Sequence, residues 1–523
     1  MARQNRDQLI ADDVRDLARL GYAQQLFREM GGFSNFAISF SIISVLTGAV
    51  LLFGYGLKLA GPIVNSVGWP VVSVFTLAVA ASMAELASMY PTAGGLYFWA
   101  FRLGGRTWAW ATAWLNMIGQ VTITAGINVA AATYLIGAAT RILGVPADAA
   151  VPLFGTATSW YFQLAVMIAI MVPQVLINLF GIRLTARLND FSVWWHIGGV
   201  LLIASLLTIF GTHHNSAGFL FQHATTTSPL EAASADLGGG RIVPALVIAD
   251  LKLPSPLFAL VPGLTALYTA APVALVFVLA LLQAQWTYTG YDASAHVAEE
   301  TVLARLNSAW GVFLSVAVSA VVGYLLLMIL TWCIPKGDVA ATANDAYPVL
   351  HIAYANLGTF LGHVVAVIIG GAMWLCGLAS ITSMGRMWYA FARDDGMPGA
   401  SLLKRVDPRR RIPAWAIVVT SISTITLYLA YVIPIYLNWR NRRRGRGEFT
   451  TRATAPWSLG RWGAPVNVVA VVWVVIITVV FALPPNELVL WTMLLVGVLL
   501  AAYWRLVARH HFVGPRGDAK GLD

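Results

Sequence analysis

The chain has 523 residues, of which 58% are hydrophobic and 11% charged. Soluble domains carry roughly 25% charged residues, so this composition excludes an ordinary soluble protein and indicates a polytopic membrane protein. The formal net charge of +10 does not indicate a nucleic-acid partner, because the basic residues sit at the ends of apolar runs, where they anchor a chain in the lipid bilayer.

Met1 to Gly32 is polar, with Arg and Asp interleaved, and lacks the apolar core of a cleavable signal. Eleven runs follow that are long enough to cross ~30 Å of hydrocarbon, about 20 residues each. They are 36–57, 67–90, 107–140, 157–182, 191–212, 271–291, 308–334, 357–385, 412–437, 464–483 and 488–504. A weaker apolar piece, 242–267, is broken by Asp250, Lys252 and four prolines. It reads as part of a long outer loop or, as the lesser alternative, a re-entrant or interfacial segment. Cys333 and Cys376 lie in or beside apolar segments, so no disulfide framework is expected.

Lys and Arg set the orientation. With the N-terminus inside and the spans alternating through the eighth, only Lys58, Arg141, Arg241, Lys252 and Lys336 fall outside. The positive-inside tendency therefore predicts a cytoplasmic N-terminus. The same count exposes a conflict. Residues 404–411 and 440–446, on either side of the ninth span, are both densely basic, and a helix that crosses once cannot keep both ends inside.

Two spans carry signs of interruption. The first contains SVLTGAVLLFGYG (44–56), with Thr47, Gly48, Gly54 and Gly56 in an otherwise apolar helix. The sixth gives way at QAQWTYTGYDASAHVAEET (283–301), where Thr287, Thr289 and Gly290 are poor helix formers and Asp292, His296, Glu299 and Glu300 follow. Glycine in a membrane helix more often marks close packing than unwinding. Here the two interruptions lie five spans apart, at corresponding places of two five-span halves. That is the layout of an inverted-repeat secondary transporter, whose broken helices line a site at the midplane.

Three stretches, AELASMYPTAGGLYFWAFRLGG (84–105), TGYDASAHVAEET (289–301) and SMGRMWYAFARDDGMP (383–398), together resemble the amino acid–polyamine–organocation superfamily, most closely its amino acid/choline/GABA permease branch. The resemblance covers residues 21 to about 434. It implies an all-α polytopic membrane protein with a leucine-transporter-like five-plus-five inverted repeat and two peripheral helices. On that plan residues 1–33 are a cytoplasmic tail and 34–437 the transport core, with a first repeat 34–212, an outer loop 213–270 and a second repeat 271–437. Then come a basic loop 438–463, the peripheral helices 464–506 and a tail 507–523. One departure stands out. After Pro413 the chain begins like the family's ninth helix, PAWAIVV, and at once continues like its tenth, TSISTITLYLAYVIPI. About one helix, ~30 residues at membrane dimensions, reads as missing after Val419. The PAWAIVV piece is then expected to be strained or displaced.

The resemblance places unwound backbone around the substrate's amino and carboxylate groups at Thr47, Gly48 and Ala49, and at Thr287, Thr289 and Gly290. Helix N-termini suit a carboxylate, and exposed carbonyl ends suit an ammonium group. Trp286 falls at the position of an aromatic lid, or is a packing aromatic. His196 matches a position that in related permeases often carries a Lys in place of sodium. It reads as a coupling or gating group, or as a neutral core histidine. Asp292 is a gate partner or the cap of the lower half-helix, and Glu85 ties the loop after the second span to its neighbours. No cofactor or metal site is expected, since His213, His214 and His223 lie in an outer loop without ligand company. No nucleophile–base constellation or P-loop occurs, so the chain does not read as an enzyme. The reading is a secondary active transporter in the plasma membrane, moving an amino acid, GABA, choline or polyamine-like amine by alternating access, with the proton as coupling candidate. A transport-incompetent amino-acid-binding or channel-like protein is the alternative, given the missing helix.

Overall fold

A computed structural model describes residues 2–146, 150–151, 155–156, 159–223, 234–236, 242–248, 251–261, 263–270, 272–422 and 455–515. Among them nine helices are long and apolar enough to cross a membrane: Gly32–Leu51, Val64–Met89, Arg106–Leu143, Phe162–Phe180, Ile182–Phe210, Ala304–Trp332, Pro348–Arg393, Gly460–Ala482 and Glu487–His511. These are the first five, the seventh, the eighth and the last two of the eleven spans. Apolar runs of this length become helices because only a helix satisfies its own backbone in hydrocarbon. The sixth span yields only a short apolar helix, Val273–Thr287, because it breaks. Of the ninth, Ala414–Ile422 is helical, and the remainder, with the basic run 440–446, lies outside the described residues. The expectation of a missing helix after Val419 falls there too.

The third and eighth spans form the centre. The eighth kinks at Gly358 (φ 71°, ψ −171°), and its far half, from Leu375 to Ala392, is buried along its whole length. It packs on the first, third, fourth and fifth spans. The outer loop is not a membrane piece. Strands Ser234–Asp236, Ile242–Ile248 and Leu251–Pro254 make a small antiparallel sheet with Ile242–Ile248 in the middle. Two short helices, Pro256–Leu260 and Gly263–Ala270, follow. The re-entrant alternative for 242–267 is thereby set aside.

The N-terminal segment is folded onto one end of the bundle. A helix, Ala2–Arg19, brings the Asp13 carboxylate to the backbone N–H groups of Leu303 and Ala304, 2.7 and 3.0 Å away. Those amides open the seventh span and have no partner within their own helix. Arg28 donates to the carbonyls of Ala298 and Thr301, and Met30 pairs with Thr301 in an isolated parallel bridge.

Both flanks of the ninth segment lie at this same end. Arg410 donates to the Leu179 carbonyl where the fourth span closes, and Arg183, just beyond, pairs with Glu29. On the other flank, the amides of Trp457 and Leu459 donate to Ser88 Oγ and Glu85 Oε1 at the end of the second span. The last two spans therefore run out and back. Glu487 meets Ser255 and the Leu257 amide in the outer loop, and Phe512 returns to Tyr97 and Phe391. The PAWAIVV piece is not strained: Ala414–Ile422 is a regular helix set against the fourth and eighth spans, with Ile417 over Gly385.

Candidate substrate and coupling site

The first break begins one turn before the expected glycine. The helix Gly32–Ile43 ends at Ser44, which adopts the left-handed region (φ 35°, ψ 82°), and helix resumes at Gly48. A non-glycine residue in that conformation costs of order 1–3 kcal/mol and persists only when its surroundings hold it. Four polar groups do so here. Ser44 Oγ lies 2.6 Å from Thr47 Oγ1 and 2.7 Å from His196 Nε2. His196 Nδ1 donates to the Ser192 carbonyl at 2.7 Å. Cys376 Sγ donates to the Ile42 carbonyl at 3.3 Å. His196, from the fifth span, is thus tied directly to the unwound stretch of the first.

The second break does use glycine. Helix Leu282–Thr287 ends at Tyr288, and helix restarts at Ala293. Between them Gly290 has φ +89°, and a Cβ there would meet Ile42 Cγ2 at 2.2 Å. Reciprocally, a Cβ on Gly48 would lie 2.7 to 2.9 Å from Thr287. Each break packs its glycine against the other span, which fixes the two gaps side by side. Small residues permit this approach of backbones in a membrane. The hydroxyls of Thr287 and Thr289 return to the carbonyls of Gln283 and Trp286, and the half-buried Trp286 indole faces Gly126 of the third span.

A cavity of about 10 Å³ lies at this junction, lined by Ile42, Gln120, Ile123, Gly290, Asp292, Ser380 and Ser383. That is room for about one water. Asp292 makes no side-chain cap. Its carboxylate instead lies 3.1 Å from His296 Nε2, one turn on. The lower half-helix is then clamped by two buried ion pairs. Arg386 meets Glu300 at 2.8 and 3.3 Å, and Arg393 meets Glu299 at 2.9 and 3.0 Å. Beside them Asp394 accepts from Tyr22 and Tyr97.

Of the expected residues, Gly290 and Asp292 line the cavity, Gly48 packs against Thr287, and His196 stands behind the first break, while Thr47, Ala49, Trp286 and Thr289 are not among the cavity's lining residues. Gln120, Ser380, Ser383 and the partner role of His296 were missed by the sequence reading. Asn116, Gln120 and Thr124 recur every fourth residue along the third span, a polar stripe in hydrocarbon that could have drawn attention to Gln120. Glu85 receives Ser458 and the Leu459 amide, so it ties the second span to the segment before the tenth.

Two interrupted membrane helices, with Gly48 packed against Thr287 and Gly290 against Ile42 beside a small cavity, form the structural centre of the site. The sequence profile of the amino acid permease family matches residues 30–503, and the chain belongs to that family, within the amino acid–polyamine–organocation superfamily. It is similar to "Amino-acid permease BAT1" of Arabidopsis thaliana, with 32% identity over 95% of each chain. It is also similar to the BAT1 homolog of Oryza sativa subsp. japonica, with 31% identity over 97% of this chain and 96% of the relative. A "GABA-specific permease" of Saccharomyces cerevisiae is 25% identical over 81% of this chain and 67% of its own.

Proposed function

We propose that the chain is a secondary active transporter of the plasma membrane, N-terminus inside, that moves an amino acid or related small amine by alternating access. Family membership makes it a transporter of amino acids. The observation that carries the mechanism is the pair of breaks, with Gly48 against Thr287 and Gly290 against Ile42. The backbone around the two breaks, at Thr47–Ala49 and Thr287–Gly290, receives the substrate's charged ends once its present hydrogen bonds to Ser44, Ala284 and Trp286 are exchanged. Trp286 covers them from the third-span side, and His196 gates by holding the first break in its unwound form. The closed cavity is then one stage of a cycle in which the clamps at Glu299 and Glu300 open. No chemical conversion belongs to this reading. Counterflow in proteoliposomes tests it: a preloaded amino acid should accelerate entry of the same labelled amino acid, and its failure for amino acids, GABA, choline and polyamines alike would remove the transport reading.

The alternative of a binding protein without transport keeps one specific support. The alignment to the Arabidopsis relative spans 541 positions, more than the length of this chain, so this chain lacks residues that the relative has. Both flanks of 423–454 lie at one end, and two crossings need ~40 apolar residues plus a turn, against the single apolar run 412–437. Saturable binding without counterflow would select this alternative.

A further inference from the structure

A second hollow, of about 670 Å³, opens between the fifth and eighth spans. Its size falls within the roughly 300–1,000 Å³ of small-molecule sites. Trp194, Leu202, Phe360 and Val367 wall it, and Gly198 and Gly199 line it between the first two. Trp194, Gly198 and Leu202 recur every fourth residue and so share one helix face. Gly198 is therefore a notch between two large side chains. Its neighbour differs in kind. A Cβ on Gly199 would meet Ile368 Cγ2 at 2.6 Å and Leu46 Cδ1 at 3.2 Å, so helix packing accounts for that glycine. A Cβ on Gly198 would meet no atom of the described residues within 4 Å. Glycine weakens a helix relative to alanine, and no contact within the described chain explains its use here.

Trp194 and Phe360 are 66% and 77% exposed on spans that lie in hydrocarbon, so the hollow is filled either by lipid or by another helix. An apolar gap left unfilled would forfeit the dispersion contacts of its walls. The polar end of the hollow decides between the two. His363 lines it next to Phe360. Its Nδ1 lies 2.7 Å from the Tyr354 hydroxyl, and among the described residues its Nε2 is left to bond outward. Ile142, also in the lining, adjoins Arg141. The Arg141 guanidinium lies 4.9 Å from the centre of the Tyr347 ring and 5.9 Å from that of Tyr354. Asp345, the acid beside it, is shared by Arg141 and His351 at 3.5 and 3.4 Å and accepts from the Tyr347 amide. The third span closes at Leu143 at this same end, where hydrocarbon gives way to headgroups. An apolar slot that ends in an imidazole and a guanidinium is complementary to an acyl chain that ends in a phosphate. The single-residue notch suits a flexible chain better than a fused ring.

We propose that this hollow is a binding site for one glycerophospholipid, with an acyl chain laid across Gly198 and the phosphate at His363 and Arg141. Native mass spectrometry of the full chain in detergent tests it without reference to transport. Delipidated wild type, titrated with dioleoylphosphatidylcholine, should gain one lipid saturably. Dioleoylglycerol, which lacks the phosphate, should bind about tenfold more weakly. Gly198→Leu fills the notch and should weaken both adducts by about tenfold, whereas His363→Ala should narrow the gap between the two lipids. Equal phosphatidylcholine binding by wild type and G198L would overturn the site. A gap that H363A leaves unchanged would overturn the placement of the phosphate. Tighter binding of cholesterol than of phosphatidylcholine, or a dimer of the chain that excludes lipid and is lost in G198L, would replace the phospholipid with another occupant. Should G198L fail to fold, Val367→Trp fills the hollow from the eighth span and should give the same loss.

Discussion

The two breaks solve one problem with different materials. In the first span a serine takes the left-handed conformation and is held by hydroxyl, imidazole and thiol groups, all uncharged. In the sixth a glycine takes it freely, and just below lie Asp292, His296, Glu299 and Glu300, clamped by two arginines. Neutral hydrogen bonds contribute about 1 kcal/mol each and are readily exchanged, whereas a buried ion pair is costly to break from one side. The first break is therefore suited to local adjustment. The lower half of the sixth is suited to move as a unit, together with its partners.

The largest effect should come from breaking that unit on one side. Arg386→Met leaves Glu300 buried and unpaired and should cost about 3–5 kcal/mol, read as a lower denaturation midpoint in detergent. The double variant with Glu300→Gln should recover most of the loss, and no recovery would mean that the pair is not what holds the half-helix. Gly290→Ala comes next. A β-carbon at positive φ costs about 1–2 kcal/mol, and the collision with Ile42 adds about 1–3 kcal/mol. Uptake should fall more than tenfold, with partial recovery when Ile42 is also cut to Ala. Gly48→Ala meets Thr287 without the conformational penalty and should cost only the overpacking, about 1–3 kcal/mol. A Gly48→Ala loss equal to that of Gly290→Ala would erase the distinction between the breaks. Smallest is Ser44→Ala, about 1–2 kcal/mol for the hydroxyl shared by Thr47 and His196. The same thermal assay should find it nearly additive with Gly290→Ala if the two breaks adjust independently.

Much of this was legible because hydrocarbon permits few backbone solutions. The nine long helices among the described residues and the interruption at Gly290 follow from runs of apolar residues and the residues that spoil them, whereas Glu85, expected to hold the loop after the second span, bonds Ser458 and Leu459. The first break was read three residues late, since Gly48 attracts the eye while the left-handed residue is Ser44. Ser44 is held by His196, 152 residues away, and no local pattern carries that. The clamps at Glu299 and Glu300 were invisible for the same reason: Arg386 and Arg393 stood in a recognised motif without any sign of what they touch. The conflict of two basic flanks around the ninth span falls partly on residues outside those described, and the contacts at Leu179 and Ser88 that bring its described flanks to one end join residues far apart in sequence.

The docking of Asp13 onto the seventh span has a consequence for how the protein is made. The two partners are separated by 290 residues. At about 5–20 residues per second of synthesis, the N-terminal helix leaves the ribosome roughly 15–60 s before the amides of Leu303 and Ala304 exist. The helix that carries Asp13 therefore finds its partner only after the seventh span has begun to form. A fusion tag or truncation at the N-terminus would then be felt as a defect in the final stage of assembly rather than in insertion.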